Sequence, residues 1–298
     1  MAEGKLTHLI GGGVGGTVGA IVTCPLEVVK TRLQSSHHPH HTVQATTVRV
    51  GYSRIWTTLG QIVVQEGVHG LFRGLGPTLV GVAPARAIYF WSYSSAKQGL
   101  NTYLPPNTPT VHVLAAAAAG LASSCSTNPI WVVKTRLQLE SEKASSSVAN
   151  IVRTIYKENG VRGFWAGITA SAWGISETVV HFVIYEELKK RWQEMRGEEM
   201  KEKKTTADFL GMMGCGAVSK TIATCMAYPH EVARTRLREV GSKYSSFWGT
   251  LAMVYREEGK MGLYRGLGTN LVRQIPNTAV MMATYELVVY TFKFYRER

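Results

Sequence analysis

Apolar residues run along this chain in long blocks, separated by short polar segments rich in lysine and arginine. Residues 7–24, 111–128 and 207–228 form one set of blocks, and residues 75–97, 168–190 and 267–292 a second set. Each block approaches the ~20 largely apolar residues that a helix needs to cross a bilayer. In lipid every backbone N–H and C=O must be satisfied within the segment, so the pattern predicts six spanning helices. Between the two blocks of each pair lies a shorter stretch, residues 54–65, 148–158 and 247–257, which predicts an amphipathic helix. The first-set blocks are dense in small residues: GGGVGG at 11–16 with Gly19, the alanine run ending at Gly120, and Gly211, Gly214 and Gly216. Such residues let helices approach closely in lipid. A phosphate-cradling loop would need a strand before residues 11–16 and a Lys-Ser/Thr or acidic partner after them; neither is present.

The blocks belong to a threefold repeat. Three segments align on a proline: Pro25-Leu-Glu27-Val-Val-Lys30-Thr-Arg32-Leu-Gln34, Pro129-Ile-Trp131-Val-Val-Lys134-Thr-Arg136-Leu-Gln138 and Pro229-His-Glu231-Val-Ala-Arg234-Thr-Arg236-Leu-Arg238. A glycine-rich motif follows each: Glu66-Gly67-x-x-Gly70-Leu-Phe72-Arg73-Gly74, Asn159-Gly160-x-x-Gly163-Phe-Trp165-Ala166-Gly167 and Glu258-Gly259-x-x-Gly262-Leu-Tyr264-Arg265-Gly266. Two motifs in the same order, three times over, divide the chain into repeats at residues 1–103, 104–198 and 199–298.

Charge refines the picture. Lys and Arg number 33 against 20 Asp and Glu, a formal charge of +13. On a soluble domain that would suggest nucleic acid, but here the excess lies at the ends of apolar blocks, as loops facing anionic lipid do. No nucleic-acid partner is expected. Cys24, Cys125, Cys215 and Cys225 all fall inside apolar blocks with no CxxC pair, and are expected to be packed free thiols. The N-terminal MAEGKLTHL has neither a secretory pattern nor an Arg-rich presequence, so an organelle address would be internal. No nucleophile–base pair, catalytic loop or metal cluster stands out, so neither enzyme activity nor a cofactor or metal is expected. The histidines at 37–41 sit in a polar loop, residues 35–47, for which a solvated loop is favoured over a metal site.

The proline-centred motif resembles that of the mitochondrial carrier family, and the resemblance covers essentially the whole chain. It implies an all-α membrane protein of the mitochondrial inner membrane. Six tilted transmembrane helices would stand in three pseudo-threefold repeats, each with a short matrix amphipathic helix, and substrates would be exchanged by alternating access. It also implies a matrix gate in which the acid of one repeat pairs with the base of the next: Glu27 with Lys134 and Glu231 with Lys30, braced by Gln34 and Gln138. Trp131 replaces the third acid and leaves Arg234 without that partner. A cytoplasmic gate would use Lys97, Glu186, Lys189 and Glu286, of which only Lys97 and Glu286 can pair by the same rule. Arg73, Gly74, Gly167, Arg265 and Gly266 lie where the family binds cardiolipin phosphates, with helix N-termini supplying free N–H groups.

Polar residues deep in apolar helices are functional candidates. Thirteen positions before Ser94, Glu186 and Glu286 stand Gly81, Trp173 and Arg273; by resemblance this level, with Gly174, contacts substrate. Steps of four along the same face add Glu177 and Asn277. Arg86 follows a proline, and Lys220 lies mid-block. Three cations against one carboxylate suit a polyanion, because guanidinium forks match phosphate oxygens, and Trp173 could stack on a base. The strings at 82–90, 174–178, 229–232 and 273–279 resemble those of the pyrimidine nucleotide carriers of this family. The expected substrates are therefore pyrimidine nucleotides, as UTP, CTP, UDP or deoxy forms, moved by exchange. The alternatives are another nucleotide-like anion (NAD, FAD or folate, adenine nucleotide) or a proton leak. The expected form is a membrane-embedded monomer.

Overall fold

The computed structural model describes residues 2–36, 52–106, 108–140, 147–195, 206–241 and 243–296. Those residues are all-α. Repeat 1 contains α1 (Ala2–Gln34), α2 (Tyr52–Glu66) and α3 (Leu75–Tyr103). Repeat 2 contains α4 (Pro109–Leu139), α5 (Val148–Asn159), α6 (Ile168–Trp173) and α7 (Ile175–Met195). Repeat 3 contains α8 (Thr206–Ala227), α9 (Pro229–Leu237), α10 (Phe247–Leu263) and α11 (Leu267–Arg296). The histidines at 37–41 lie outside the described residues.

The first helices run further than the apolar pattern predicts. α1 continues through Pro25 to Gln34, and α4 through Pro129 to Leu139. A proline inside a helix costs one hydrogen bond, which a packed membrane helix tolerates. In the third repeat the helix divides instead at Tyr228, and Pro229 opens α9, where its missing N–H is no loss. The second helix of repeat 2 also divides, at Gly174, into α6 and α7.

The six long assemblies pair closely as α1 with α11, α3 with α4 and α7 with α8. Small residues explain the first pairing. A Cβ on Gly15 would lie 2.7 Å from the Met281 carbonyl oxygen, and one on Gly19 would lie 3.1 Å from Asn277 Oδ1. Outward faces carry exposed apolar side chains, among them Val22, Val80, Leu121, Val183, Met226 and Ile275. So continuous an apolar belt fits lipid rather than water. Among the described residues, two segments qualify as spans by length and composition alone: Gly11–Gln34, with mean hydropathy 1.4, and Pro109–Leu139, with 1.2. The others carry the polar groups described below. Of the cysteines, Cys24 is buried but Cys125 is exposed, so it is not packed as expected.

Each short helix packs under its own repeat's motif. Ile55 and Ile62 meet Val28 and Val29, Ile151 and Ile155 meet Val132 and Val133, and Phe247 and Val254 meet Ala233 and Leu237. Each second-set helix then starts at a left-handed glycine seated on the next repeat. A Cβ on Gly74 (φ 80°) would lie 2.9 Å from Gln138 Cγ, and one on Gly167 (φ 73°) 3.2 Å from the Arg234 carbonyl oxygen. Gly266 (φ 80°) sits on repeat 1, where a Cβ would lie 3.2 Å from the Lys30 carbonyl oxygen, and it would also meet Tyr228 Oη of its own repeat at 3.1 Å. Gly266→Ala should therefore destabilise the protein by about 1–2 kcal/mol from the left-handed backbone alone, and by more from the contacts. Thermal unfolding of purified protein checks this, with Gly76→Ala as control, since a Cβ there meets nothing within 4 Å. Equal melting of the two variants would contradict it.

Candidate functional site

The three proline motifs converge at one end of the helix bundle, and their charges form a floor. Glu27 pairs with Lys134, joining repeats 1 and 2. Lys30 pairs with Glu231, joining repeats 1 and 3. Where the third acid would stand is Trp131, whose indole N–H donates to Thr127 Oγ1 at 2.9 Å and whose ring faces Lys134 Nζ at 5.0 Å and borders Gly81 of repeat 1. Arg234 turns to Glu231 of its own helix, at 3.2 Å, so that carboxylate serves two cations.

Below the ion pairs lies a second, cyclic layer. Arg32 Nε donates to the Gln138 carbonyl, Arg136 Nε to the Arg238 carbonyl and Arg236 Nε to the Gln34 carbonyl, each at 3.0 Å. The same guanidinium groups pair with the acid ending the short helix of their own repeat: Arg32 with Glu66 at 2.7 Å, Arg136 with Glu158 at 3.1 Å and Arg236 with Glu258 at 2.6 Å. Each arginine thus ties its own short helix to the carbonyl end of the next repeat's motif helix. The sequence reading missed this layer. Its signal was the second base of each motif, at a fixed offset from the first; Glu158, one residue before Asn159, supplies the acid that the second glycine motif lacks.

The two glutamines do not brace the ion pairs as expected. Gln34 Oε1 accepts from Thr235 Oγ1 at 2.8 Å, and its amide donates to Tyr228 Oη at 2.9 Å. Gln138 Oε1 accepts from Thr31 Oγ1 at 2.9 Å. Both reach across to a neighbouring repeat one turn below the charges. In the third motif Arg238 holds the glutamine's position, and its Nη1 reaches Thr135 Oγ1 at 3.4 Å.

Above the floor is a polar cavity of about 390 Å³, bounded by Gly120, Ser124 and Gly174, with Glu177, Trp131 and Arg234 on its walls. That is the size range of small-molecule sites. Of the residues proposed to touch substrate, Gly174 and Glu177 line it. Lys220 Nζ reaches Glu177 Oε1 at 2.6 Å, and Thr224 Oγ1 donates to the same oxygen at 2.9 Å. Arg273 does not stand free: its Nη1 lies 3.3 Å from Glu27 Oε2, and its Nε is buried with no hydrogen-bond partner among the described residues. Arg86 is exposed and makes no ion pair among the described residues. Asn277 faces α1, accepting from Thr23 Oγ1 at 3.3 Å. Gly81 is buried against Ile130 and Trp131 of α4.

Trp173 departs from its expected place. Its ring stacks on Phe247 at 5.7 Å and meets Trp248 edge-on at 5.2 Å, outside the cavity. Counting in fours gives a position along a helix face but not the neighbours that compete for a side chain, and here Phe247 and Trp248 of repeat 3 take the ring. The aromatic ring that does line the cavity is Trp131.

At the opposite end, Lys97 and Glu286 form no ion pair with each other among the described residues. Glu186 and Lys189 meet at 3.6 Å within α7 rather than across helices. Of the residues proposed to bind lipid, Arg73 Nε lies 3.4 Å from Glu66 Oε2, and Arg265 Nη1 3.0 Å from Glu258 Oε2. Gly74, Gly167 and Gly266 are the left-handed helix starts described above.

Residues 3–104, 105–196 and 205–296 each match the family described as mitochondrial carrier protein. The chain is 54% identical over 301 residues to solute carrier family 25 member 36-A of Danio rerio, covering 96% of this chain and 97% of that one. It is 48% identical over 306 residues to solute carrier family 25 member 33 of Homo sapiens, covering 97% and 95%. It is 38% identical over 315 residues to mitochondrial carrier protein rim2 of Schizosaccharomyces pombe, covering 97% and 90%.

Proposed function

The chain belongs to the mitochondrial carrier family, and from that premise we propose that it exchanges pyrimidine nucleotides across the mitochondrial inner membrane by alternating access. The observation that carries this reading is the polar cavity, latched at one end by Glu27–Lys134 and Lys30–Glu231 while Lys97 and Glu286 stay unlinked. That is the arrangement of a carrier open to the cytoplasm with its matrix gate shut. The strings at 82–90, 174–178, 229–232 and 273–279 narrow the cargo to pyrimidine nucleotides.

Two cations paired with acids beside the cavity support an anionic cargo in a particular way. Lys220 and Arg273 are held by internal carboxylates, Glu177 and Glu27. A phosphate must displace those partners, and only a multiply charged ligand repays their loss. Drawing Arg273 away from Glu27 leaves that carboxylate to Lys134 alone, so cargo binding changes the charge balance at the latch. Gly81 and Asn277, at helix contacts, would shape the site rather than hold cargo. Cardiolipin phosphates would sit on the N–H groups of the turns at Gly74, Gly167 and Gly266, with Arg73 and Arg265 flanking the first and third.

Purified protein in liposomes loaded with unlabelled nucleotide should take up labelled UTP and CTP faster than ATP, NAD or folate. Equal or faster uptake of any of the latter three would remove the pyrimidine reading. Proton flux in the absence of any nucleotide would favour a leak instead.

A further inference from the structure

The interface between repeats 2 and 3 differs from the other two. At the repeat 1–2 and 3–1 interfaces an acid of one motif meets a base of the next. At the 2–3 interface the acid is replaced by Trp131, and the neutral glutamine one turn lower is replaced by Arg238. Two substitutions of the same electrostatic sense, one losing a negative charge and one adding a positive charge, therefore fall on the same seam. Both arginines of this seam line the cavity, as does Trp131. They stand four residues apart, about one turn, ~5.4 Å along the helix.

Arg238 is a buried guanidinium whose assigned contacts are neutral. Nη2 donates to Asn128 Oδ1 at 2.8 Å and approaches Ser171 Oγ at 3.5 Å; Nε lies 3.5 Å from the Ala166 carbonyl oxygen, and Nη1 3.4 Å from Thr135 Oγ1. None of the ion pairs among the described residues includes it. A buried cation ordinarily has a charged partner, because dipoles only partly replace its hydration. Arg234, above it, has only a share of Glu231, which also serves Lys30. Around the cavity four cations, Lys30, Lys134, Arg234 and Arg238, face three carboxylates, Glu27, Glu177 and Glu231. The seam holds the surplus.

We propose that Arg234 and Arg238 form a two-step anion subsite for the phosphate chain of the cargo, occupying the place that an ion pair fills at the other two interfaces. This rests on the carrier reading and adds where the phosphates go. The terminal phosphate meets Arg234 beside Trp131, then Arg238 one turn deeper as the floor parts. The cargo supplies the third latch while bound and removes it when it leaves. Selectivity for phosphate number then resides at this seam, separately from recognition of the base. A purely structural Arg238, clamping Asn128 and Thr135 together, predicts no such selectivity.

The test is competition against labelled UTP uptake in liposomes by UMP, UDP, UTP and inorganic tripolyphosphate, which carries the charge without a base. In wild type, competition strengthens with each added phosphate, and tripolyphosphate competes. R238Q installs the side chain that the other two motifs hold at this place. It should reduce the advantage of UTP over UMP by about tenfold, the scale of one charge-assisted hydrogen bond, and weaken tripolyphosphate to the same extent. W131E gives Arg234 an acid across the seam and should do likewise. R238Q keeping the wild-type ratio of UTP to UMP, whatever its melting temperature, overturns the proposal. If R238Q yields no folded protein, W131E decides alone by the same ratio. Should wild type carry a different nucleotide, the mono-to-triphosphate series of that nucleotide replaces the uridine series. The pyrimidine reading then fails while the subsite is still tested.

Discussion

Glu231→Gln is expected to swing the resting carrier toward the state open to the matrix by about tenfold or more, the population change that ~1.4 kcal/mol produces. Glu231 holds Lys30 with one oxygen and Arg234 with the other, and its side chain is 15% exposed. An amide of the same shape leaves both cations without a counter-charge at the closed floor, and removing one member of a buried pair costs about 3–5 kcal/mol. In the opposite state the motifs part and water reaches these groups, so the loss falls on the closed floor alone. Glu286→Gln should move the balance the other way. It costs nothing in the arrangement seen, where Glu286 and Lys97 are unlinked, and weakens the state in which they meet. Single cysteines at the two mouths of a protein otherwise free of cysteine, challenged with an impermeant thiol reagent, report both shifts. Movement of both variants in the same direction would refute the gate assignments.

Arg236→Ala is expected to produce the largest loss of stability of any single substitution in the floor. The Arg236 side chain is fully buried; it binds Glu258 at 2.6 Å, Tyr244 Oη at 2.9 Å and the Gln34 carbonyl at 3.0 Å. Alanine strands the Gln34 carbonyl and leaves Glu258 to Arg265. The expected cost is about 3–5 kcal/mol, on the order of 10 °C in melting temperature for a chain of this size. Arg236→Lys should recover only part, because a single ammonium cannot reach the carbonyl and the carboxylate at once with a fork's geometry. Thermal unfolding in detergent measures this. Repeating it with added cardiolipin also tests the lipid proposal, since a lipid on the helix starts should raise the wild-type midpoint. An alanine variant that melts with the wild type would show that the ring does not hold the repeats together.

Much of this architecture was legible because the same chemistry recurs at a fixed spacing. Pro25, Pro129 and Pro229 set the register, and the family resemblance supplied the rule that pairs Glu27 with Lys134 and Glu231 with Lys30. What could not be read depended on direction. Trp173 faces Phe247 and Trp248 of repeat 3, and no periodicity within one helix announces which aromatic neighbours another repeat will bring to it. The partner of Arg273 could not be read from its own helix; the glycines of α1 bring α11 close enough for it to reach Glu27. The arginine ring escaped because its acceptors are main-chain carbonyls, which a sequence does not display. Glu158 shows the same limit, since a shift of one residue hides an acid from a motif but not from the guanidinium that needs it.

The arginine ring has a consequence for how the protein is made. Its closing contacts join residues about two hundred positions apart: Arg236 to the Gln34 carbonyl, Thr235 to the Gln34 side chain and Glu231 to Lys30. Contacts of such separation form late, after the chain between them has been ordered. Until the third repeat is in place, Lys30, Gln34 and Arg136 expose polar groups whose partners have not yet docked. The first two repeats are therefore not a stable intermediate but an open arc. Biogenesis must shelter that arc from aggregation, and quality control can read the completeness of the whole chain from whether its last third has closed onto its first.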